Sequence, residues 1–344
     1  MKVLHVNLAR GFRGGERQTE LLIRALSDLD IQQVLACRPD SPLRDRLQDT
    51  SGLSFCDAAG QLSGHSLKAQ ADIVHAHEAK GVHWAWLEHQ LNKTPYILTR
   101  RVDTPVKTKW FNRKSYSAAA RNVAISNLIA DHLKQRNWSR VELVPSVMAR
   151  MSADASVTEA FRAEFADKFI LGHIGALVDK HKGQRILIEA AGRLKQSHPQ
   201  IQILFFGKGE DEAALKAESA ELDNISWMGF KSNIGDYIPG LDLFAFPSRN
   251  EGLGSTLFDV MNAGVPIVAA RAGGIPDIIH HEKTGLLVPA ENAEALYDGI
   301  VRLYESEELR QQLVAGAHKH LVNYTPEVMA QSYLKIYQEI LSER

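Results

Sequence analysis

Short apolar runs recur along the chain, separated by stretches whose apolar positions return at helical intervals. Residues 4–8, 34–37, 53–56, 73–77, 96–99, 123–126 and 141–145 read as strands in the first half. Residues 169–177, 203–206 and 241–246 read as strands in the second. Between them, Leu21, Leu22, Ala25 and Leu29 share one helical face, and Ile186, Ile188, Ala190 and Leu194 share another. Strands alternating with helices predict an α/β fold built on doubly wound, mainly parallel sheets. The pattern lapses over residues 146–166, which are polar and loosely spaced and read as a linker. At 344 residues, two domains of about 150 each are expected. We place them at 1–165 and 166–325, with helical sequence to 344.

The most informative stretch is residues 251–266, Glu-Gly-Leu-Gly-Ser-Thr-Leu-Phe-Asp-Val-Met-Asn-Ala-Gly-Val-Pro. It follows the apolar run 241–246, which Pro247 and Ser248 end. Gly252 and Gly254 permit a tight turn and close approach of the backbone to a ligand. Ser255 is placed to cap a helix whose core face is Leu257, Val260 and Met261, and Gly264 with Pro266 ends it. Strand, glycine turn and helix present backbone N–H groups at a sheet edge, a setting suited to phosphate or sugar oxygens. Glu251 on the turn and Asp259 beside Thr256 can accept hydrogen bonds from hydroxyls. An ordinary βα turn with two solvated acids would look the same.

Glu-Gly-Leu-Gly, an acid eight residues after the Glu, and Met-Asn-Ala-Gly-Val-Pro resemble the signature of the family 4 retaining glycosyltransferases of GT-B fold. The resemblance implies two Rossmann-like domains facing a cleft, with a last helix, 326–344, crossing back to the first domain. It implies that Glu251 contacts the donor sugar, that Leu253 and Gly254 hold hydroxyls and phosphate through their amides, and that Asp259 binds the ribose. The family usually has Glu at that last position. Gly14 and Gly15 stand where the family sets a glycine pair against the donor phosphates and the acceptor. Lys182-Gly183 matches the family's diphosphate clamp, but its arginine partner is replaced by Ala176, leaving Lys180 as a second cation. Gly207 opens a turn where the family makes nucleotide contacts, and Trp227–Phe230 lies where it wraps the base.

The remaining candidates come from strand ends, where doubly wound sheets bind ligands. That rule selects Gly14, His77, Arg100, Arg101, Ser126 and Ser146. We read His75 and His77 as facing opposite ways and so as a poor metal pair, with His77, nearer the strand end, facing the site as a catalytic group. Many family members carry a catalytic histidine where this chain has Arg100 and Arg101. Two permanent cations there suit an anionic group on the acceptor, or a salt bridge to Glu78 or Asp103. Residues 104–121 hold Lys107, Lys109, Arg113, Lys114 and Arg121 with Trp110, Phe111 and Tyr116 and no acid. Such a segment suits peripheral contact with an anionic membrane, or a protein helix that buries its aromatics.

Composition narrows the classes. Residues 1–165 carry 23 Lys+Arg against 17 Asp+Glu, or +6, and the remainder 17 against 24, or −7, so an acidic partner belongs on the first half. No nucleic-acid-binding motif accompanies that charge. Two cysteines make no disulfide framework and point to a reducing compartment. No Cys/His spacing suggests zinc, and no metal or other cofactor is expected. No apolar run reaches the roughly 20 residues of a membrane span, and the first residues read as a strand, so a cytoplasmic protein, peripheral on the inner face of the membrane, is expected. The resemblance implies transfer of a hexose from a nucleoside diphosphate, UDP by preference, to a hydroxyl of a cell-envelope glycan or glycolipid such as lipopolysaccharide core. A sugar-nucleotide epimerase of the same fold, an NAD-dependent dehydrogenase and a non-catalytic nucleotide-sugar sensor are the alternatives. The Gly-x-Gly-x-x-Gly fingerprint a dehydrogenase needs is absent. Glu251 and Asp259 share one helix start instead of straddling a bond, which fits a hydrolase poorly.

Overall fold

A computed structural model describes residues 1–65, 71–149 and 152–343. The chain divides into two units, residues 1–147 with 324–344, and residues 148–323. The first contains β1 (Lys2–Asn7), α1 (Gly14–Ser27), β2 (Gln32–Cys37), α2 (Pro42–Leu47), β3 (Leu53–Asp57), β4 (Ile73–Ala76), α3 (Ala79–Asn92), β5 (Tyr96–Arg100), α4 (Trp110–Ser117), β6 (Arg121–Ala124), α5 (Asn127–Arg136) and β7 (Val141–Leu143). The strands form one seven-stranded sheet in the order β3-β2-β1-β4-β5-β6-β7, and every pairing is parallel. The runs of β1, β4 and β6 bury on both faces, as the interior of a sheet covered by helices on both sides requires.

The second unit contains α6 (Ala155–Ala163), β8 (Phe169–Ile174), α7 (Asp179–Lys182), α8 (Gln184–Ser197), β9 (Ile201–Phe206), α9 (Glu212–Glu218), β10 (Ile225–Gly229), β11 (Leu243–Phe246), α10 (Thr256–Asn262), β12 (Ile267–Ala270), α11 (Ile275–Ile278), β13 (Leu286–Val288), α12 (Ala293–Glu305) and α13 (Glu307–Leu321). Its six strands run in the order β10-β9-β8-β11-β12-β13, again all parallel. The core joins Leu187, Ala191 and Leu194 of α8 to Ile203, Phe205, Leu243 and Ala245 of the sheet and to Leu296 and Ile300 of α12.

The last helix, α14 (Pro326–Ser342), belongs to the first unit. Met329, Ala330, Tyr333, Ile336, Tyr337 and Ile340 form its buried face, packed with Val3, Leu22, Leu26, Ile73 and Ile97.

Two expectations need correction. The stretch 146–166 is not simply a linker, and the second unit begins at Met148. The Asp154 carboxylate accepts from Ser156 N at 2.9 Å and starts α6, and Phe161 packs edge-on to Tyr237 and Phe206 at 5.3 and 6.1 Å. A helix with one large apolar anchor carries too little periodicity to be read from sequence. Residues 150 and 151 of that stretch lie outside the described residues. Ser255 stands at the start of α10, but its backbone is already helical (φ −57°, ψ −23°), so its hydroxyl makes no cap.

Candidate functional site

In the second unit, strand order reverses direction of growth at β8, with β9 and β10 to one side and β11 to β13 on the other. Loops leaving β8 and β11 therefore part in opposite directions and open a crevice beyond the carboxyl ends of those strands. Lys182 follows β8 and Glu251 follows β11. Their side chains meet there, Nζ to Oε2 at 2.5 Å, both partly buried. The Lys182 ammonium also lies 5.6 Å from the centre of the Phe246 ring, and its stem runs along Gly175.

Close backbone approach explains the glycines around this pair. Gly183 sits at φ +65°, and a Cβ there would fall 2.2 Å from Pro247 O. Gly273 sits at φ +55°, and its Cβ would fall 2.0 Å from Glu251 O, which accepts from Gly274 N at 2.9 Å. Each position thus excludes a side chain sterically as well as by its left-handed backbone.

Asp179, buried at the start of α7, ties these loops together. It accepts from Arg185 N at 2.8 Å, pairs with Arg185 Nη1 at 3.1 Å and reaches Arg249 Nη2 at 3.5 Å. The His181 carbonyl accepts from Arg249 N at 2.9 Å. Beneath them His173 is fully buried, donates from Nδ1 to Ala245 O at 3.1 Å, and is lowered to a pKa of about 4, chiefly by burial. Its neutral ring leaves Lys182 as the adjacent cation.

The other predicted residues of this unit fall around the pair. Leu253 is buried and Gly254 adopts φ +87° beside Glu251 Cγ. Gly207 packs against Gly175 O. Asp259 accepts from Ala149 N at 3.3 Å. Lys180 is exposed, two residues from Lys182 on one short helix, and positions i and i+2 do not face each other.

In the first unit the strand order turns at β1 and β4, so Gly14, Gly15 and His77 stand at the corresponding crevice. His77, expected to face the site, is buried, and its Nδ1 has no hydrogen-bond partner. The expected opposite facing of His75 and His77 is also wrong. Side chains at i and i+2 of a strand share a face, and the two rings lie 3.9 Å apart. With His5 they bring three ring nitrogens within 4.8 Å of one another, close enough to hold a metal ion. His5 and His75, however, already use both ring nitrogens. His5 meets His77 Nε2 at 2.9 Å and Gln33 Oε1 at 3.0 Å. His75 meets Tyr337 OH and Thr99 Oγ1, both at 2.7 Å. Burial and the nearby Arg101 charge hold His75 and His77 well below the usual histidine pKa. We read the cluster as a hydrogen-bond chain that binds α14 to the sheet, continued by Thr99 Oγ1 and Tyr333 OH at 2.8 Å.

Arg100 and Arg101 also part company. Arg100 donates from Nη2 to Thr104 O at 2.5 Å and its charge acts on the Tyr116 hydroxyl, whereas Arg101 turns inward. Neither pairs with Glu78, whose carboxylate accepts from Leu8, Lys80 and Gly81 amides at the start of α3. Ser126 is spent on the cap of α5. In the basic segment, Lys107, Lys109, Arg113, Lys114 and Trp110 are exposed. Tyr116 is buried, Phe111 packs on His83 and Trp86, and Arg121 pairs with Glu343. Among the described residues, no helix is long and apolar enough to cross a membrane.

Residues 157–320 match the family model described as glycosyl transferases group 1, and residues 12–147 match that described as glycosyltransferase family 4. The lipopolysaccharide core biosynthesis glycosyltransferase LpsD of Rhizobium meliloti is 25% identical over the full length of both chains. Among solved structures, a glycosyltransferase from Rickettsia africae superposes with a TM-score of 0.85 at 19% identity, covering 100% of this chain and 99% of that one. Anabaena HepE in complex with UDP superposes with a TM-score of 0.83 at 17% identity, covering 98% and 100%.

Proposed function

The chain belongs to the family 4 glycosyltransferases of GT-B fold, and from that premise we propose that it transfers a hexose from a UDP-sugar, with retention, to a hydroxyl of a cell-envelope glycan or glycolipid. The observation that carries this reading is the Lys182–Glu251 pair at the β8/β11 crevice. In the reaction the bond from the anomeric carbon to the diphosphate oxygen breaks, and one to the acceptor oxygen forms on the same face. The acceptor proton passes to the departing diphosphate. Negative charge therefore grows on the leaving group, where a fixed cation and aligned amides act without reorganising. Lys182 supplies the cation, the amides of Leu253 and Gly254 the dipoles, and Glu251 orients the sugar hydroxyls. Asp259 takes the ribose. With that charge met by the protein, no divalent metal enters the scheme. The name of LpsD supports an acceptor of the lipopolysaccharide-core type, and the UDP bound to HepE supports the base.

Thermal melts with UDP, GDP, ADP and NAD test the donor. UDP at about a hundred times its Kd adds about 2.7 kcal/mol of stability and raises Tm, while the others have little effect. Asp259→Asn keeps an acceptor oxygen for Ala149 N but loses a charged partner for the ribose, so calorimetry gives a UDP affinity roughly tenfold weaker. A shift with NAD alone would replace the transferase reading by a dehydrogenase. Product with an inverted anomeric centre would remove retention.

The basic segment supports peripheral contact with an anionic membrane. Lys107, Lys109, Arg113 and Lys114 are exposed without an ion-pair partner among the described residues, beside Trp110 at 65% exposure. At about 1 kcal/mol per cation near an anionic leaflet, attachment is reversible and salt-sensitive. Anionic vesicles sediment the protein at low salt and release it at high salt, and changing the four cations to Gln abolishes the binding. Equal sedimentation with neutral vesicles would remove the electrostatic account.

A further inference from the structure

Arg101 carries polar capacity that the fold does not use. Its Nη1 reaches Ser146 Oγ at 3.4 Å, but Nε and Nη2 are buried with no hydrogen-bond partner. Buried donors left unmatched are destabilising and uncommon in folded proteins, so such groups call for an explanation in a ligand or a bound water. His77 Nδ1 is likewise buried and unmatched, and the Arg101 charge acts directly on that ring.

The hydrogen-bond chain fixes what each group offers. Gln33 donates from Nε2 to Ile23 O at 2.9 Å, so its Oε1 faces His5 Nε2 and accepts from it. His5 Nδ1 is then a lone pair that accepts from His77 Nε2–H. The neutral His77 is left with a bare lone pair at Nδ1. Arg101 thus offers two donors in a fork, and His77 one acceptor.

The surroundings add a third feature. A Cβ on Gly15 would lie 3.6 Å from Arg101 Cδ, so the arginine stem runs beside the first turn of α1, a helix of 14 residues. Free amides and the positive end of the helix macrodipole favour an oxyanion there. Glu16, the nearest acid to Arg101 on that turn, has its carboxylate engaged by Arg13 N at 2.9 Å.

We propose that Arg101, with Gly15 and His77, forms a subsite in the first unit for a phosphate on a hydroxyl-bearing sugar, so that the acceptor is a phosphorylated glycan. The juxtaposition of a buried, unmatched guanidinium fork, a helix start and a bare imidazole nitrogen carries it. The fork matches two phosphate oxygens, the α1 amides take a third, and a neighbouring sugar hydroxyl donates to His77 Nδ1. Arg100 already donates to the Thr104 carbonyl and takes no part. The inference rests on the transferase reading for the word acceptor, but the subsite can be tested without it.

Calorimetry on the full chain uses glucose 6-phosphate, glucose and UDP as probes, with wild type, Arg101→Gln and Arg101→Lys. Glucose 6-phosphate binds wild type. It binds Arg101→Gln at least tenfold more weakly, and Arg101→Lys with an intermediate loss, since a point charge replaces the fork. Glucose binding stays weak and unchanged, and UDP affinity is the same in all three. Should Arg101→Gln fail to fold, the loss in Arg101→Lys at unchanged Tm decides. Equal glucose 6-phosphate affinity for wild type and the variants, or none for wild type, would overturn the subsite and leave a water on the fork. A loss confined to UDP would overturn it too, assigning the fork to the donor diphosphate. Absence of UDP binding by wild type counts against the donor reading and leaves the phosphate arm standing.

Discussion

Replacing Lys182 by alanine lowers turnover about 10²–10³-fold, the usual cost of one transition-state charge donor, while the fold is retained. The expectation rests on how little else the side chain does. Among the described residues it makes one ion pair, to Glu251, and it lies over Phe246. In the ground state the ammonium and the carboxylate satisfy each other. As the diphosphate leaves, the ammonium gains a stronger anion, so its contribution rises between substrate and transition state, which is what lowers a barrier. Lys182→Met separates charge from packing, because a methionine stem can still cover Phe246 and Gly175. Equal loss of turnover in the two variants, at wild-type Tm and with donor KM changed less than kcat, identifies the charge as the active element. Full turnover in a folded Lys182→Met would take the residue out of the mechanism. Alanine alone leaves Glu251 partly buried without its partner, and some of its effect on Tm comes from that.

Gly273→Ala lowers stability by about 2–4 kcal/mol and turnover by about 100-fold, although residue 273 touches neither Lys182 nor the expected reacting atoms. Left-handed backbone costs an L-residue about 1–2 kcal/mol. The rest comes from the Glu251 carbonyl, 2.0 Å from where the methyl must sit. A carbonyl cannot rotate away as a flexible side chain can, so the 249–254 loop moves and Glu251 moves with it. A displacement of about 1 Å at a positioning residue can cost a hundredfold in rate. Gly192, in α8, provides the control. Nothing lies within 4 Å of its added Cβ, so Gly192→Ala is neutral or stabilising by up to about 1 kcal/mol. Thermal melts and initial rates on both variants check the pair. If Gly273→Ala melts and turns over like wild type, the close approach is not what places Glu251.

The strands were legible where short apolar runs stood unbroken between polar and glycine breaks, as in residues 203–206, Ile-Leu-Phe-Phe between Gln202 and Gly207. β10 was not read as a strand because it is an edge, half-buried throughout, and its residues mix polar with apolar. The residues proposed for the donor were named through the resemblance of the 251–266 motif. That Lys182 pairs with Glu251 was not, since 69 positions separate them and only sheet topology brings the two loops together. Asp179 carried no signal at all, because its partners Arg185 and Arg249 are set by tertiary structure. The error over His75 and His77 was one of period, for a strand repeats every two residues. Arg100 and Arg101 are chemically identical in sequence. Which one stays unmatched depends on where the Thr104 carbonyl falls in the folded loop.

The first unit is closed by residues from both sides of the second, which bears on how it is made. A ribosome delivers β1 to β7 first, but α14 follows only after residues 148–323 have been synthesised. At about 5–20 residues per second that interval is roughly 10–35 s. Throughout it, the apolar surface around Val3, Leu22, Ile73 and Ile97 lacks its cover, and His75 and Thr99 lack Tyr337 and Tyr333. The second unit is continuous in sequence and can complete its sheet as soon as residue 323 clears the exit tunnel. Nascent chains halted before residue 324 therefore expose a sticky half-sheet, the kind of surface that general chaperones hold, and the half made first is the half finished last.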